Sequence, residues 1–129
     1  MNGLLLINLG TPEQPTKKAV KAYLKELLSD PLVMNMHPVL RGFLVRGIIL
    51  PFRSARSAEA YKKIWTDKGS PLLIHTQDLR NKVADKLKDT YHVEIGMRYG
   101  KPSIKAGLDK LIEKGATSIK ILPLYPQYA

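Results

Sequence analysis

The run GLLLINLG at residues 3–10, closed by Thr11 and Pro12, constrains the fold more than any other stretch. It is apolar with almost no alternation. Antiparallel strands with one wet face alternate, whereas strands covered on both faces read as continuous hydrophobic runs. A first strand buried on both sides implies a parallel sheet, and a parallel sheet needs helices as crossovers. The chain supplies both. YHVEIGMRY at 91–99 sets Val93, Ile95, Met97 and Tyr99 against Glu94, Gly96 and Arg98, a period of two. TSIKILPLY at 117–125 reads as a third strand.

Helical periods lie between these strands. Val20, Tyr23, Leu24, Leu27 and Leu28 form one stripe, in a helix expected to stop at Asp30 before Pro31. Ser57 is read as the N-cap of a short helix with Tyr61, Ile64 and Trp65 on one face. Ser70 followed by Pro71 reads as a cap and first turn. The apolar side of that next helix is assigned to Leu72, Leu79, Val83 and Leu87. In PSIKAGLDKLIEKG, Ser103 is the expected cap, Ile104, Leu108, Leu111 and Ile112 the buried side, and Gly115 the terminator. The expected fold is a doubly wound α/β domain with a parallel sheet.

Length and charge narrow the class. The 129 residues, 44% of them hydrophobic, suffice for one core. No apolar run is long enough to span a bilayer, and the N-terminus lacks a basic region and a cleavage signature. The absence of cysteine removes disulfides and thiolate sites from this chain and fits a cytoplasmic location. The net charge of +10 favours anionic partners. Nucleic acid is a poor fit, because the basic residues are spread over helices rather than gathered beside stacking aromatics.

Residues 31–57 stand apart. They are apolar, hold three prolines and two glycines, carry Arg41, Arg46, Arg53 and Arg56, and contain no acid. Helix is expected around 38–50, without a single apolar stripe. Such a segment suits either a buried connection with surface arginines, or a surface lip against a ligand both broadly apolar and polyanionic. Tetrapyrroles are ligands of that kind. A peripheral membrane element is the alternative.

Open parallel sheets bind ligands beyond the carboxyl ends of their strands. That rule selects Leu9 to Pro12, Arg98 to Gly100 and Leu124 to Tyr128. Neither a Walker loop nor G-x-G-x-x-G is present, no carboxylate sits at a strand end, and His37, His75 and His92 lack metal-ligand spacing.

LLLINLGTP, SDPLVMNMHP, PFRSARSAEAYKKIWTDKGSPL, MRYGKPSI and LPLYPQYA, in this order along the chain, resemble the N-terminal part of bacterial ferrochelatases. The resemblance implies a Rossmann-like chelatase fold of two similar domains. Residues 1–129 would be the N-terminal part of the first domain, with a porphyrin-covering lip at about 31–57 and the second domain absent. It implies insertion of ferrous iron into a porphyrin that the enzyme bends out of plane. Ferrous iron is then a substrate, and no cofactor is expected in this stretch. The catalytic histidine and glutamate of the family lie beyond it, so no catalytic residue and no metal ligand is expected here, nor activity from this stretch alone. By the same resemblance Leu9 is a pocket-wall position, Arg53 and Arg56 are basic lip positions near the porphyrin carboxylates, and Ser70 lies near the polar edge of the substrate. Arg98 and Tyr99 match a pair on the face opposite the catalytic histidine; a strand-end arginine capping carbonyls and a tyrosine closing the core is the plainer reading. Tyr125, Gln127 and Tyr128 match a loop beneath the pocket. The resemblance leaves open whether the porphyrin is protoporphyrin or coproporphyrin and whether the parent holds an iron–sulfur cluster. Self-association through an open edge of the last strand is a further expectation.

Overall fold

A computed structural model describes residues 1–125. The elements run β1 (Asn2–Gly10), α1 (Lys17–Leu28), α2 (Pro38–Leu44), a π-helical turn (Val45–Ile49), α3 (Leu50–Ile64), α4 (Pro71–Lys86), β2 (Tyr91–Tyr99), α5 (Ile104–Glu113) and β3 (Ile119–Pro123). They form two compact units, Met1–Thr11 with the chain from Leu72 onward, and Pro12–Pro71.

The first unit is a three-stranded sheet in the order β2-β1-β3, with β1 parallel to both neighbours. The apolar run of β1 is central, as its lack of alternation requires. Leu5 and Ile7 pack with Leu111 of α5 on one face, with Ile104 and Leu108 partly buried against them. Leu6, Val93 and Ile95 pack on the other with Leu73, Val83 and Ala84 of α4. Helices thus cover both faces. Leu5 and Leu111 are fully buried, and truncating either to alanine is worth about 2–5 kcal/mol. Glycine lets α5 lie close to the sheet: a Cβ on Gly107 would sit 2.6 Å from the Ile95 carbonyl oxygen. The Ser103 hydroxyl accepts from the Ala106 amide and caps α5 as expected. Gly115, with a φ of 88°, ends it.

Two assigned stripes shift. Leu79 is 40% exposed, and the inner side of α4 runs through Leu73, Thr76, Arg80, Val83 and Ala84. Ile112 is 61% exposed, outside the stripe of Ile104, Leu108 and Leu111 that faces the sheet. Each helix had one more apolar residue than its narrow buried stripe could hold.

In the second unit α1 packs on α3, burying Val20, Tyr23 and Leu24. Thr16 caps α1 by accepting from the Ala19 amide. Residues 38–64 form one uninterrupted helical run, so Ser57 lies inside α3 and is no cap. The π turn has a local cause. Pro51 has no N–H and its ring crowds the carbonyl one turn earlier. The chain widens just before it, with the Leu50 amide bonding to Val45 O five residues back. The wider turn also keeps the buried side in phase: Val45, then Leu50, Ser54 and Ala58. The Ser54 hydroxyl, fully buried, donates to Leu50 O at 2.7 Å.

Candidate functional site

The strand ends named from sequence meet along the carboxyl edge of the sheet. The register pairs Asn8 with Met97 and Gly10 with Tyr99, so Leu9 and Arg98 occupy equivalent positions on adjacent strands. Both are exposed, Leu9 by 42% despite lying in the central strand. Strand alternation puts Leu9 in phase with Leu5 and Ile7, on the α5 side. An exposed apolar residue and an exposed arginine are therefore backbone neighbours on adjacent strands at the sheet's open end.

Tyr99 differs from its neighbour. It is 4% exposed, and the Arg98 guanidinium carbon lies 5.0 Å from its ring centre, within cation–π range. Two glycines make the tips compact. Gly10 (φ 127°) and Gly100 (φ 84°) hold conformations that other residues avoid. A Cβ on Gly100 would sit 2.8 Å from Thr11 O, so the segment leaving β2 lies against the one leaving β1.

β3 reaches the same edge. Its pairing with β1 ends at Ile7 and Pro123, and the Leu124 amide then donates to Ile7 O at 2.7 Å. Tyr125 packs, partly buried, against the Leu5, Ile7 and Leu111 cluster. Leu9, Arg98, Tyr99 and Tyr125 are thus gathered at one end of the first unit. Gln127 and Tyr128 lie outside the described residues.

The remaining candidates belong to the second unit. Arg53 and Arg56 line a hollow of about 610 Å³ with Ile48, Ile49, Phe52, Ser57 and Ala60. Phe52 is 79% exposed there. Apolar surface and two cations share one helix side, because residues four apart fall in line on a helix. Ser70, buried, follows a tight turn in which Thr66 and Gly69 exchange backbone hydrogen bonds of 3.1 and 3.0 Å.

Asn8 and Thr76 were not among the residues expected from sequence. Asn8 Nδ2 donates to Thr76 Oγ1 at 3.1 Å. The available signal was an amide side chain inside the otherwise apolar run of residues 3–10. Among the described residues, no group of three or more His, Cys, Asp or Glu is placed to hold a metal ion.

The family model for ferrochelatase matches residues 1–129. This chain belongs to the ferrochelatase family. It is 52% identical over 131 residues to a ferrochelatase of Idiomarina loihiensis, covering 98% of this chain and 36% of that protein. It is 53% identical over 127 residues to the Legionella pneumophila strain Paris ferrochelatase, covering 98% and 38%. The Coxiella burnetii strain Dugway ferrochelatase is 50% identical over 127 residues, covering 98% and 36%. The chain spans little more than a third of the length of these relatives. The motif resemblance and the α/β fold with a parallel sheet both agree with ferrochelatase membership.

Proposed function

We propose that this chain is the N-terminal part of an enzyme that inserts ferrous iron into a porphyrin, and that the strand tips form one wall of its cavity. The observation that carries this reading is the placement of exposed Leu9 and Arg98 at equivalent positions of adjacent strands, at the carboxyl end of a parallel sheet, in a chain of the ferrochelatase family. A flat macrocycle with apolar faces would rest on Leu9. Tyr99 and Tyr125 would complete the wall, and Gln127 and Tyr128 are proposed as further substrate-binding residues. Arg53 and Arg56, in the lip at 31–57, would pair the porphyrin carboxylates in charge-assisted hydrogen bonds. Ser70 would face the polar edge.

The chemistry explains why such a wall matters. A free-base porphyrin is flat, keeps its nitrogen lone pairs in plane and holds two N–H protons. Insertion replaces both protons by the metal. Bending the ring turns lone pairs towards the incoming ion, and contacts remote from the nitrogens offset the strain. A rigid wall supplies those contacts. The groups that accept the protons would come from the rest of the protein.

The test uses the full-length protein and follows the iron-dependent loss of free-porphyrin fluorescence. Arg98→Ala and Tyr99→Phe should each slow it. Undiminished turnover in both variants would remove these residues from the pocket.

A membrane-surface role for the lip is a second reading, favoured by Val39, Phe43 and Phe52, exposed by 74%, 65% and 79%, close to Arg41, Arg46 and Arg53. Flotation with anionic liposomes, absent with neutral ones, would support it. No helix among the described residues is long and apolar enough to cross a membrane. For residues 1–129 alone, the outer edge of β3, with Ile121 and Leu122 exposed by 55% and 49%, favours pairing with a second copy.

A further inference from the structure

A directional hydrogen-bond relay runs through the carboxyl end of β1. Thr76, 2% exposed on α4, donates its hydroxyl proton to Leu72 O at 2.7 Å. A hydroxyl has one proton, so towards Asn8 this oxygen can only accept. Asn8 must therefore present its amide nitrogen to Thr76, at 3.1 Å. That choice turns the Asn8 carbonyl oxygen to the Leu9 amide, which it accepts at 2.8 Å.

The Leu9 amide is a group the sheet leaves over. Gly3 N and Ile7 O both bond on the β3 side, and alternation turns Leu9 N–H the same way. The register with β3 ends at Ile7 and Pro123. The Asn8 side chain takes up the donor beyond the last paired residue and ties it, through Thr76, to the first turn of α4. Aspartate could not replace it. A carboxylate offers no donor to Thr76, so the threonine would have to release Leu72 O or leave a charge poorly matched.

We propose that Asn8 and Thr76 are positioning residues for substrate binding: their relay fixes the backbone of Leu9 and so the place of the apolar wall against which the porphyrin lies. This rests on the ferrochelatase reading above. Neither residue touches the substrate in it.

The experiment measures porphyrin Kd by fluorescence without metal, KM for porphyrin and for ferrous iron, and the Tm, all in the full-length protein. Thr76→Val and Asn8→Asp should each raise porphyrin Kd and KM about tenfold, the worth of one well-placed hydrogen bond. KM for iron should not move. Thr76→Ser, which keeps the hydroxyl, should bind as the parent does. Thr76→Ser weakened as much as Thr76→Val would assign the effect to the lost methyl and overturn the relay. Porphyrin affinity unchanged in Asn8→Asp, with the Leu9 amide resonance also unmoved, would overturn it too. Should Thr76→Val fail to fold, Asn8→Asp and Thr76→Ser decide the matter. Failure of the parent to bind any porphyrin is a different result: it removes the ferrochelatase reading itself, whereas the outcomes above remove only the relay's role.

Discussion

A Cβ placed on Gly10 would lie 1.9 Å from the carbonyl oxygen of Tyr99, the residue paired with it across the sheet. The two strand tips meet backbone to backbone, and Gly10 does so at a φ of 127°. Gly10→Ala should therefore be costly twice over, through strain of about 1–3 kcal/mol and through separation of the tips. Gly42 in α2 is the control, since a Cβ there meets nothing within 4 Å. Gly42→Ala should gain about 0.5–1 kcal/mol. Urea unfolding of both variants checks the pair, and equal midpoints would refute the contact at the strand tips.

What could be read from sequence follows the range of the forces involved. β1 was legible because burial on both faces writes itself into adjacent residues; β2 alternates in type yet is buried on both faces from Val93 to Met97, because Glu94 is paired and Gly96 lies under Ile104. The Ser103 cap and the Gly115 stop are local too. The run from Pro38 to Ile64 was not legible as one helix. Pro51 ordinarily argues for a break, and only burial of Val45 and Leu50 on one side makes a widened turn worthwhile. Leu79 and Ile112 look like core by type, yet each stripe is set by the sheet it faces. The Asn8–Thr76 bond joins residues 68 apart in sequence, beyond any local pattern. Among the candidates, Leu9, Arg98, Tyr99 and Tyr125 were selected by a rule about strand ends, and the structure brings them to one end of the first unit. The hollow beside Arg53 and Arg56 needed the helix phase, which the π turn concealed.

Glu94 should anchor the edge of the sheet. Its Oε1 lies 2.8 Å from Lys114 Nζ and 3.6 Å from Arg80 Nη2, and its side chain is only 11% exposed. Arg80 Nε also donates to Val93 O at 3.0 Å, tying α4 to β2. Glu94→Gln keeps the shape and removes the charge. It should lower stability by about 1–2 kcal/mol at low salt, as expected for a hydrogen bond to an ionised group. Lys114 is 44% exposed, so part of that loss should vanish at high salt. Denaturation at two ionic strengths reads both effects.

Two tyrosines should titrate apart. The Lys120 hydrogen bond holds the Tyr91 phenol below its usual value of 10.0, while burial pushes Tyr61 above it. Alkaline absorbance titration should show Tyr91 ionising early, and Lys120→Met should return it to the ordinary range. The signs for stability are opposite. Tyr91 binds its proton less tightly when folded, so its contribution is present at pH above the unfolded phenol value and lost as pH falls through the lowered folded value. Tyr61 binds its proton more tightly when folded, so its contribution is present below pH 10 and lost as pH rises through the raised value. A Lys120→Met titration identical to the parent would exclude the pair.

The arginines at the α3 hollow allow a test of the porphyrin's orientation. Arg53 and Arg56 line that hollow beside Ile48 and Phe52. If they pair carboxylates, removing the cations and removing the carboxylates must not add. In the full-length protein, Arg53→Ala with Arg56→Ala should raise porphyrin KM about tenfold, a modest figure because exposed ion pairs are weak. A porphyrin dimethyl ester, with its charges masked, should bind the parent about as poorly as the acid binds the variant. On the ester the double substitution should then have little further effect. That non-additivity is the signature of direct interaction. Additive losses would mean that the arginines act by general attraction, and the carboxylates would have to be sought against other groups.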